Sequence, residues 1–224
     1  MSPDQQPEKT SPKTPEYRLG YAPEFRSFVV DHAGVLRKVL EMIDELAGDR
    51  LEQDGLIVEK AWSTLGDDPR IKNRISLYQN YHYKVTVGEK SFFLKMSPTS
   101  AAPDGYGEFQ SSRFAATELN IPGVEIVKAE LGFSSRDRNY FVAEWDDRLR
   151  IPLLVQIQLL QDEFKENPAN QELKNKLDSL MTRLNQLRGE LKKHFVDPGE
   201  NNMAYDEATN TIILFDLQLR KAEK

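Results

Sequence analysis

The stretch His194–Leu219, HFVDPGENNMAYDEATNTIILFDLQL, determines how the rest of the chain is interpreted. It begins where a long predicted helix ends and passes through a polar turn. Two short apolar runs follow, Met203–Tyr205 and Thr211–Leu217, and the polar residues between them favour a tight reversal of the chain. This pattern predicts a β-hairpin.

Three side chains with oxygen atoms flank the predicted hairpin. Asp197 and Asn202 lie in the loop before it, and Asp216 lies at the far end of its second strand. Because a hairpin returns the chain on itself, we expect Asp216 to face that loop. Mg²⁺ prefers hard oxygen ligands, so Asn202 and Asp216 are suitable metal ligands, and Asp197 is left to orient a hydroxyl. An ordinary surface turn contains the same residue types and is the alternative interpretation.

The order Asp197, Asn202, Asp216 resembles the catalytic loop and metal-binding hairpin of the protein-kinase-like fold, which includes the phosphotransferases of the aminoglycoside and choline kinase type. In that family an Asp is followed five residues later by an Asn, and a metal-binding Asp follows a hairpin. The resemblance implies that Asp197 is the catalytic base. Two features differ, because His194 stands three residues before Asp197 rather than two, and Leu217-Gln218 replaces the Phe-Gly of protein kinases.

Length and composition restrict the class of protein. The chain has 224 residues, of which 39% are hydrophobic and 29% charged, as expected for a globular protein of one domain or two small lobes. No apolar run approaches the ~20 residues of a membrane-spanning helix, and the N-terminus has no apolar signal core. The absence of cysteine excludes disulfides and thiolate sites, and a net charge of −6 argues against general nucleic-acid binding. We therefore expect a cytoplasmic protein with no membrane or nucleic-acid partner.

The N-terminal part divides into two predicted segments. Residues 1–20 are rich in Pro, Ser, Lys and Glu, so they predict a disordered tail. Residues 21–54 predict a helical prefix, because apolar residues between Asp31 and Ala47 recur at three- and four-residue spacing. Gly48 can end that helix.

Residues 55–148 predict an antiparallel sheet with one helix. The strands read GLIVEKAW, RISLY, YHYKVTV and SFFLKM, the last two around the turn at residues 88–90, and then GVEIVKAELGF and NYFVAEWDD. Residues 108–119 predict a helix whose apolar side carries Phe109, Phe114, Ala115 and Leu119. In the kinase-like family, a strand with a Lys, a helix with a Glu, a Pro-bearing link, two strands and a hinge follow one another in the same order.

The resemblance assigns nucleotide-binding roles in this segment. Lys95 in SFFLKM corresponds to the Lys that binds phosphates, and Glu108 is the helix Glu that holds it in position, with Glu118 as the other candidate. A strand-end lysine in solvent is the alternative for Lys95. The segment at Glu144 would be the hinge, whose backbone could receive an adenine edge. No GxGxxG precedes Lys95.

Residues 149–224 predict a reduced, mainly helical large lobe that ends in the hairpin. Residues 151–166 and 170–193 predict two helices, and the second carries leucines alternately four and three residues apart. The later helices of the family's large lobe have no counterpart after Asp216. We therefore expect the helical prefix and the helix pair, or a protein partner that completes the lobe, to form the acceptor site.

These observations predict an α+β, two-lobed, protein-kinase-like fold that binds ATP and Mg²⁺. The expected reaction is transfer of phosphate to a hydroxyl group of a small molecule or a protein. Two other functions stay open at this point. One is a pseudokinase-type scaffold that binds a partner without catalysis, and the other is a helical adaptor that uses its leucine stripe as an interface.

Overall fold

The computed structural model describes residues 19–26, 33–61, 82–98, 104–135, 137–196, 199–215 and 217–219. Within these residues the fold is mixed α+β, with one large antiparallel sheet, one small sheet and four α-helices. The α+β class and the antiparallel sheet are therefore confirmed. No helix in these stretches has the length and apolar character needed to cross a bilayer.

The strands, in chain order, are β1 (Leu19–Tyr21), β2 (Arg50–Gln53), β3 (Leu56–Lys60), β4 (His82–Val87), β5 (Lys90–Pro98), β6 (Val124–Ile126), β7 (Ala129–Ser134), β8 (Arg138–Glu144), β9 (Met203–Asp206) and β10 (Thr211–Leu214). The α-helices are α1 (Ala33–Glu45), α2 (Gly105–Glu118), α3 (Leu153–Glu166) and α4 (Gln171–His194). The large sheet has the order β1-β7-β8-β5-β4-β3-β2, and the small sheet has the order β6-β10-β9.

A tight turn sets the register of the central strands. Gly88 and Glu89 join β4 to β5, and Gly88 has a φ of +61° that this turn requires. As a result His82 pairs with Lys95. Because alternate residues of a strand face opposite sides of a sheet, Phe93 and Lys95 share one face with His82. This hairpin was predicted and is confirmed.

Two strands occur where the sequence predicted a disordered tail and a helical prefix. The strand β1 begins at Leu19, and β2 has the polar sequence RLEQ with no buried residue. Neither strand has an alternating apolar pattern, so pairing with β7 determines β1 and pairing with β3 determines β2. The turn Asp54–Gly55, with φ angles of 51° and 76°, is a hairpin signal that could have predicted β2. The domain boundaries at residues 20, 54 and 148 stay predictions.

The helix α1 covers one face of the large sheet. The sequence predicted a helix over residues 31–47, and the structure has one over Ala33–Glu45. Phe25 packs edge-on against Phe92, with ring centroids 5.5 Å apart. The core between α1 and the sheet contains Val39, Met42, Ile43, Leu56, Val58, Tyr83, Val85, Leu94, Leu131, Tyr140 and Val142.

The helix α2 covers the opposite face, which also carries Lys95. The helix was predicted to begin at Glu108, but it begins at Gly105, because the Asp104 side chain accepts a hydrogen bond from Gly107 N at 2.7 Å and caps it. Phe114 was predicted on the apolar side and is instead 52% exposed. The residues that α2 buries are Gly105, Glu108, Phe109, Ser111, Ser112 and Ala115, and Phe114 lies off that stripe.

The helices α3 and α4 pack together and form a third core with the small sheet. The predicted bounds of both helices are confirmed to within two residues. The side chain of Asn170 accepts hydrogen bonds from Glu172 N and Leu173 N, which sets the start of α4. The predicted leucine stripe is buried in its second half, at Leu180, Leu184, Leu187 and Leu191.

The small sheet differs partly from the prediction. The hairpin of β9 and β10 is confirmed, with Thr211 paired to Asp206. The stretch GVEIVKAELGF, however, is not one strand, since β6 pairs in parallel with β10 and β7 pairs with β8 in the large sheet. A parallel pairing over such a distance in sequence leaves no local signal. The predicted strand RISLY lies outside the described residues.

Candidate functional site

A buried ion pair joins β5 to α2. Lys95 Nζ lies 3.1 Å from Glu108 Oε2, and the two residues are 7% and 2% exposed. The pairing expected from the sequence is therefore present. The alternative of a lysine in solvent is wrong for Lys95, and Glu118 lies exposed at the end of α2. Binding of a cofactor by the pair stays a prediction.

Strand alternation and register place Lys95 on the covered face of the sheet. On β5, Phe92 and Leu94 belong to the core under α1, and Phe93 belongs to the core on the opposite side. Lys95 follows Phe93 by two residues and so points to that opposite side, where it pairs with His82 on β4 and Phe141 on β8. The ammonium group is thus directed towards α2.

Close backbone packing places Glu108 over this face. A Cβ atom added to Gly105 would overlap the carbonyl oxygen of Phe133, and one added to Gly132 would overlap the carbonyl oxygen of Gly105. Only glycine at both positions lets the first turn of α2 approach β7 this closely. Glu108 lies in that first turn. The position of its carboxylate is therefore set by backbone contact.

The loop before β9 is hydrogen-bonded to the segment after β10. Asn202 ends a short 3₁₀ helix, and its carbonyl oxygen accepts a hydrogen bond from Phe215 N at 3.0 Å. Asn202 therefore lies beside the residue that precedes Asp216 in the sequence. Asp197 and Asp216 themselves lie outside the described residues, so their expected roles as base and metal ligand stay predictions.

The residues on both sides of Asp216 contact the elements that carry the ion pair. The ring of Phe215 lies 5.9 Å from that of Phe93 on β5, and Leu219 N donates to Ser111 Oγ on α2 at 3.3 Å. Ser111 is three residues after Glu108, and Phe93 is two before Lys95. Within the described stretches, no group of three or more His, Asp or Glu side chains has a metal-binding arrangement.

The predicted hinge lies at the end of β8. Trp145 N donates to Ser91 O at 3.1 Å, so the chain stays attached to β5 there. Glu144 pairs with Phe92, and paired residues share a face, so its side chain lies on the side of α1 and not on the side of Lys95. Contact of the Glu144 backbone with a nucleotide stays a prediction.

Two residues of the Lys95 face, His82 and Lys84, were missed as site candidates. The ring centroid of His82 lies 5.3 Å from that of Phe93, and Lys84 Nζ lies 5.1 Å from the ring centroid of Trp145. The Trp145 indole donates to Asp147, which lowers the pKa of that carboxyl. Period-two alternation in YHYKVTV, combined with the register from the Gly88 turn, is the signal that could have placed His82 and Lys84 here.

An arginine joins the end of the predicted hinge to the small sheet. Arg148 binds Asp146 at 2.6 Å, Glu125 at 2.7 Å and, more distantly, Asp206 at 3.6 Å. Hydrogen bonds to Asp146 and Glu125 raise the pKa of Arg148. The guanidinium group therefore bridges β6, β9 and the segment between the large sheet and α3.

Among comparisons with known proteins, only the one with solved structures gives a match. No protein-family model matches the chain, and no curated protein matches it. Among solved structures, the chain is similar to the crystal structure of the BubR1 kinase domain, with 13% sequence identity and a TM-score of 0.41. The similarity covers 88% of this chain and 59% of that chain.

Proposed function

We propose that this chain is a divergent, two-lobed, kinase-like protein that binds a Mg²⁺-nucleotide and transfers its terminal phosphate to a hydroxyl group. The observation that carries the proposal is the buried ion pair of Lys95 and Glu108. A buried ion pair is weak evidence for stability, because desolvation of the charges offsets their attraction. A held ammonium group on a covered sheet face does, however, suit a polyphosphate ligand, since it needs little reorganisation to bind one.

The proposed roles follow the arrangement of the chain. Lys95 binds phosphate oxygens, and Glu108 fixes the position of its ammonium group. Asn202 and Asp216 supply oxygen ligands of the type that Mg²⁺ prefers, and Asp197 accepts the proton of the acceptor hydroxyl. Bound Mg²⁺ would neutralise charge on the phosphates. The contacts of Phe215 with Asn202 and Phe93 support a site shared by these segments.

Thermal melting with and without Mg-ATP tests nucleotide binding. A ligand at 100 times its dissociation constant stabilises the folded state by about 2.7 kcal/mol, so we expect a clear rise in Tm of the wild-type protein. The double variant Lys95→Met/Glu108→Leu removes both charges together and should lose the rise. Lys90→Met, an exposed lysine of the same strand, is the matched control and should keep it. A rise that survives in the double variant would place the nucleotide elsewhere.

Turnover then separates transfer from binding. Asp197→Asn should keep the Mg-ATP-dependent rise in Tm and lose hydrolysis or transfer of labelled phosphate, because it removes the base and keeps the shape of the side chain. Equal rates in the wild type and the variant would remove Asp197 from the mechanism. The acceptor is proposed only as a hydroxyl group of a small molecule or a protein.

A scaffold without catalysis is the second candidate, and aromatic packing favours it. Phe93 is fully buried, and its ring contacts those of Phe215 and His82. A nucleotide that extended from Lys95 towards Glu144 would pass over Phe93, so these rings would have to separate. A Tm rise with Mg-ATP that appears only in Phe93→Ala would show an occluded site and favour the scaffold.

A further inference from the structure

The N-terminal segment, residues 19–25, contacts α2 beside Glu108. The strand β1 pairs with β7, and Ala22 N donates to Glu130 O at 2.8 Å. Gly20 lies directly against α2, because a Cβ atom there would be 2.6 Å from Cδ1 of Phe109. Phe109 immediately follows Glu108. The segment thus extends the sheet surface on which the turn that carries the carboxylate packs.

A second contact is electrostatic. Glu24 Oε1 accepts a hydrogen bond from Arg113 Nη1 on α2 at 2.8 Å and lies 2.9 Å from Lys128 Nζ, on the link between β6 and β7. The bonds from Arg113 and Lys128 lower the pKa of Glu24 to about 2. Glu24 therefore stays charged at neutral pH. It ties α2 and the link to the same short segment.

We propose that residues 19–25 form an N-terminal clamp that positions α2 so that Glu108 reaches Lys95. Gly20, Glu24 and Arg113 are positioning residues, and they act through Glu108. At its first turn α2 is fixed by the contact of Gly105 with β7. Farther along, Ser111 and Ser112 hydrogen-bond to Leu219 and Val127, and Arg113 joins the helix to Glu24 of the clamp. The Lys95–Glu108 bond of 3.1 Å is sensitive to small shifts of the helix.

The consequence for nucleotide binding rests on the proposed function, but the clamp itself can be measured without a nucleotide. The measurement is the rate at which acetic anhydride acetylates Lys95 in the intact, folded protein. The labelled protein is then digested, and mass spectrometry of the peptide that contains Lys95 gives the extent of acetylation. A clamped Lys95 is buried and paired, so it reacts slowly. Loosening of α2 exposes the amine and raises the rate.

Arg113→Met is the test variant, and Lys128→Met is the matched control. Both lose an ion pair with the same oxygen of Glu24, but only Arg113 lies on α2. We expect Arg113→Met to raise the Lys95 acetylation rate roughly two- to five-fold, the effect of losing one partly exposed ion pair. We expect Lys128→Met to leave it unchanged and Arg113→Lys to restore it in large part. Gly20→Ala, which displaces Phe109, should raise the rate as well.

The Kd for Mg-ATP, measured by fluorescence titration below the melting range of every variant, gives the second readout. We expect it to rise together with the acetylation rate. Equal Lys95 acetylation in the wild type, Arg113→Met and Gly20→Ala would overturn the clamp. A faster reaction with an unchanged Kd would leave the clamp standing and would remove the Lys95–Glu108 pair from nucleotide binding. If the wild type binds no nucleotide but Arg113→Met still speeds acetylation, the clamp stands and the proposed function fails.

Discussion

At the scale of single residues, Lys95 and Glu108 are the two most completely buried charges among the described residues. Their burial has opposite consequences for single and for paired substitutions. Removing one partner leaves the other charge buried without its ion pair, whereas removing both leaves an apolar site of similar volume. The pair can therefore matter for function while adding little net stability.

We predict that Lys95→Met destabilises the fold by about 3–5 kcal/mol, because the Glu108 carboxylate then stays buried without its partner. Lys95→Met/Glu108→Leu should recover most of that loss. Urea unfolding of both variants and of the wild type measures the difference. If the single substitution cost no more than the double one, the carboxylate would have access to water or to other partners that replace the ammonium group.

At the scale of elements, α2 is placed by glycine and not by apolar side chains alone. Gly105 and Gly132 allow the helix to contact the sheet backbone, and this contact sets the height of Glu108 above β5. An alanine at a helical glycine position normally stabilises a helix, because glycine loses more conformational freedom on folding. At Gly105 an added Cβ atom would overlap the backbone of Phe133 and Tyr140, so alanine should destabilise the protein there.

We predict that Gly105→Ala destabilises the protein and weakens Mg-ATP binding, because the added methyl group would overlap the backbone of β7 and β8. Gly189→Ala in α4 is the matched control, since a Cβ atom there has no neighbour within 4 Å. It should stabilise the fold by about 0.5–1 kcal/mol. Thermal melting of both variants checks the opposite signs. A Gly105→Ala protein as stable as the control would show that α2 is free to move outward.

At the scale of the whole molecule, two of the hydrophobic cores meet around Phe215. Phe215 belongs to the core under the large sheet, and Leu214 and Leu217 belong to the core of α3, α4 and the small sheet. A substitution that destabilises one core should therefore destabilise the other, because both cores pack on the segment around Phe215.

We predict that Leu184→Ala, at a fully buried position of α4, destabilises the protein by about 2–5 kcal/mol. Leu173→Ala, at the half-buried start of the same helix, should cost clearly less. Fluorescence and far-UV circular dichroism should report a single urea transition in both variants, because the cores share their connecting segment. Separate transitions in Leu184→Ala would show that the two cores unfold independently.

Local sequence patterns determined much of this protein. Apolar periodicity set α1, α3 and α4, the residues around Gly88 set the hairpin of β4 and β5, and alternation directed Lys95 to one face. These features depend on neighbours within a few positions, so the sequence contains their signal. The strands β1 and β6 depend on partners far away in the chain, and so their local sequence does not reveal them. The strand β2 pairs with the neighbouring β3, and the Asp54–Gly55 turn is its local signal.

Only the tertiary structure decided which groups meet. The order of Lys95 and Glu108 along the chain could be read from the sequence. Their 3.1 Å bond, however, results from backbone contact at Gly105 and Gly132. The ring contact between Phe215 and Phe93 likewise joins segments that are distant in sequence, and so does the ion pair between Glu24 and Arg113 of α2. Such contacts are fixed by packing of whole elements, because a shift of one ångström breaks a hydrogen bond without changing any local pattern.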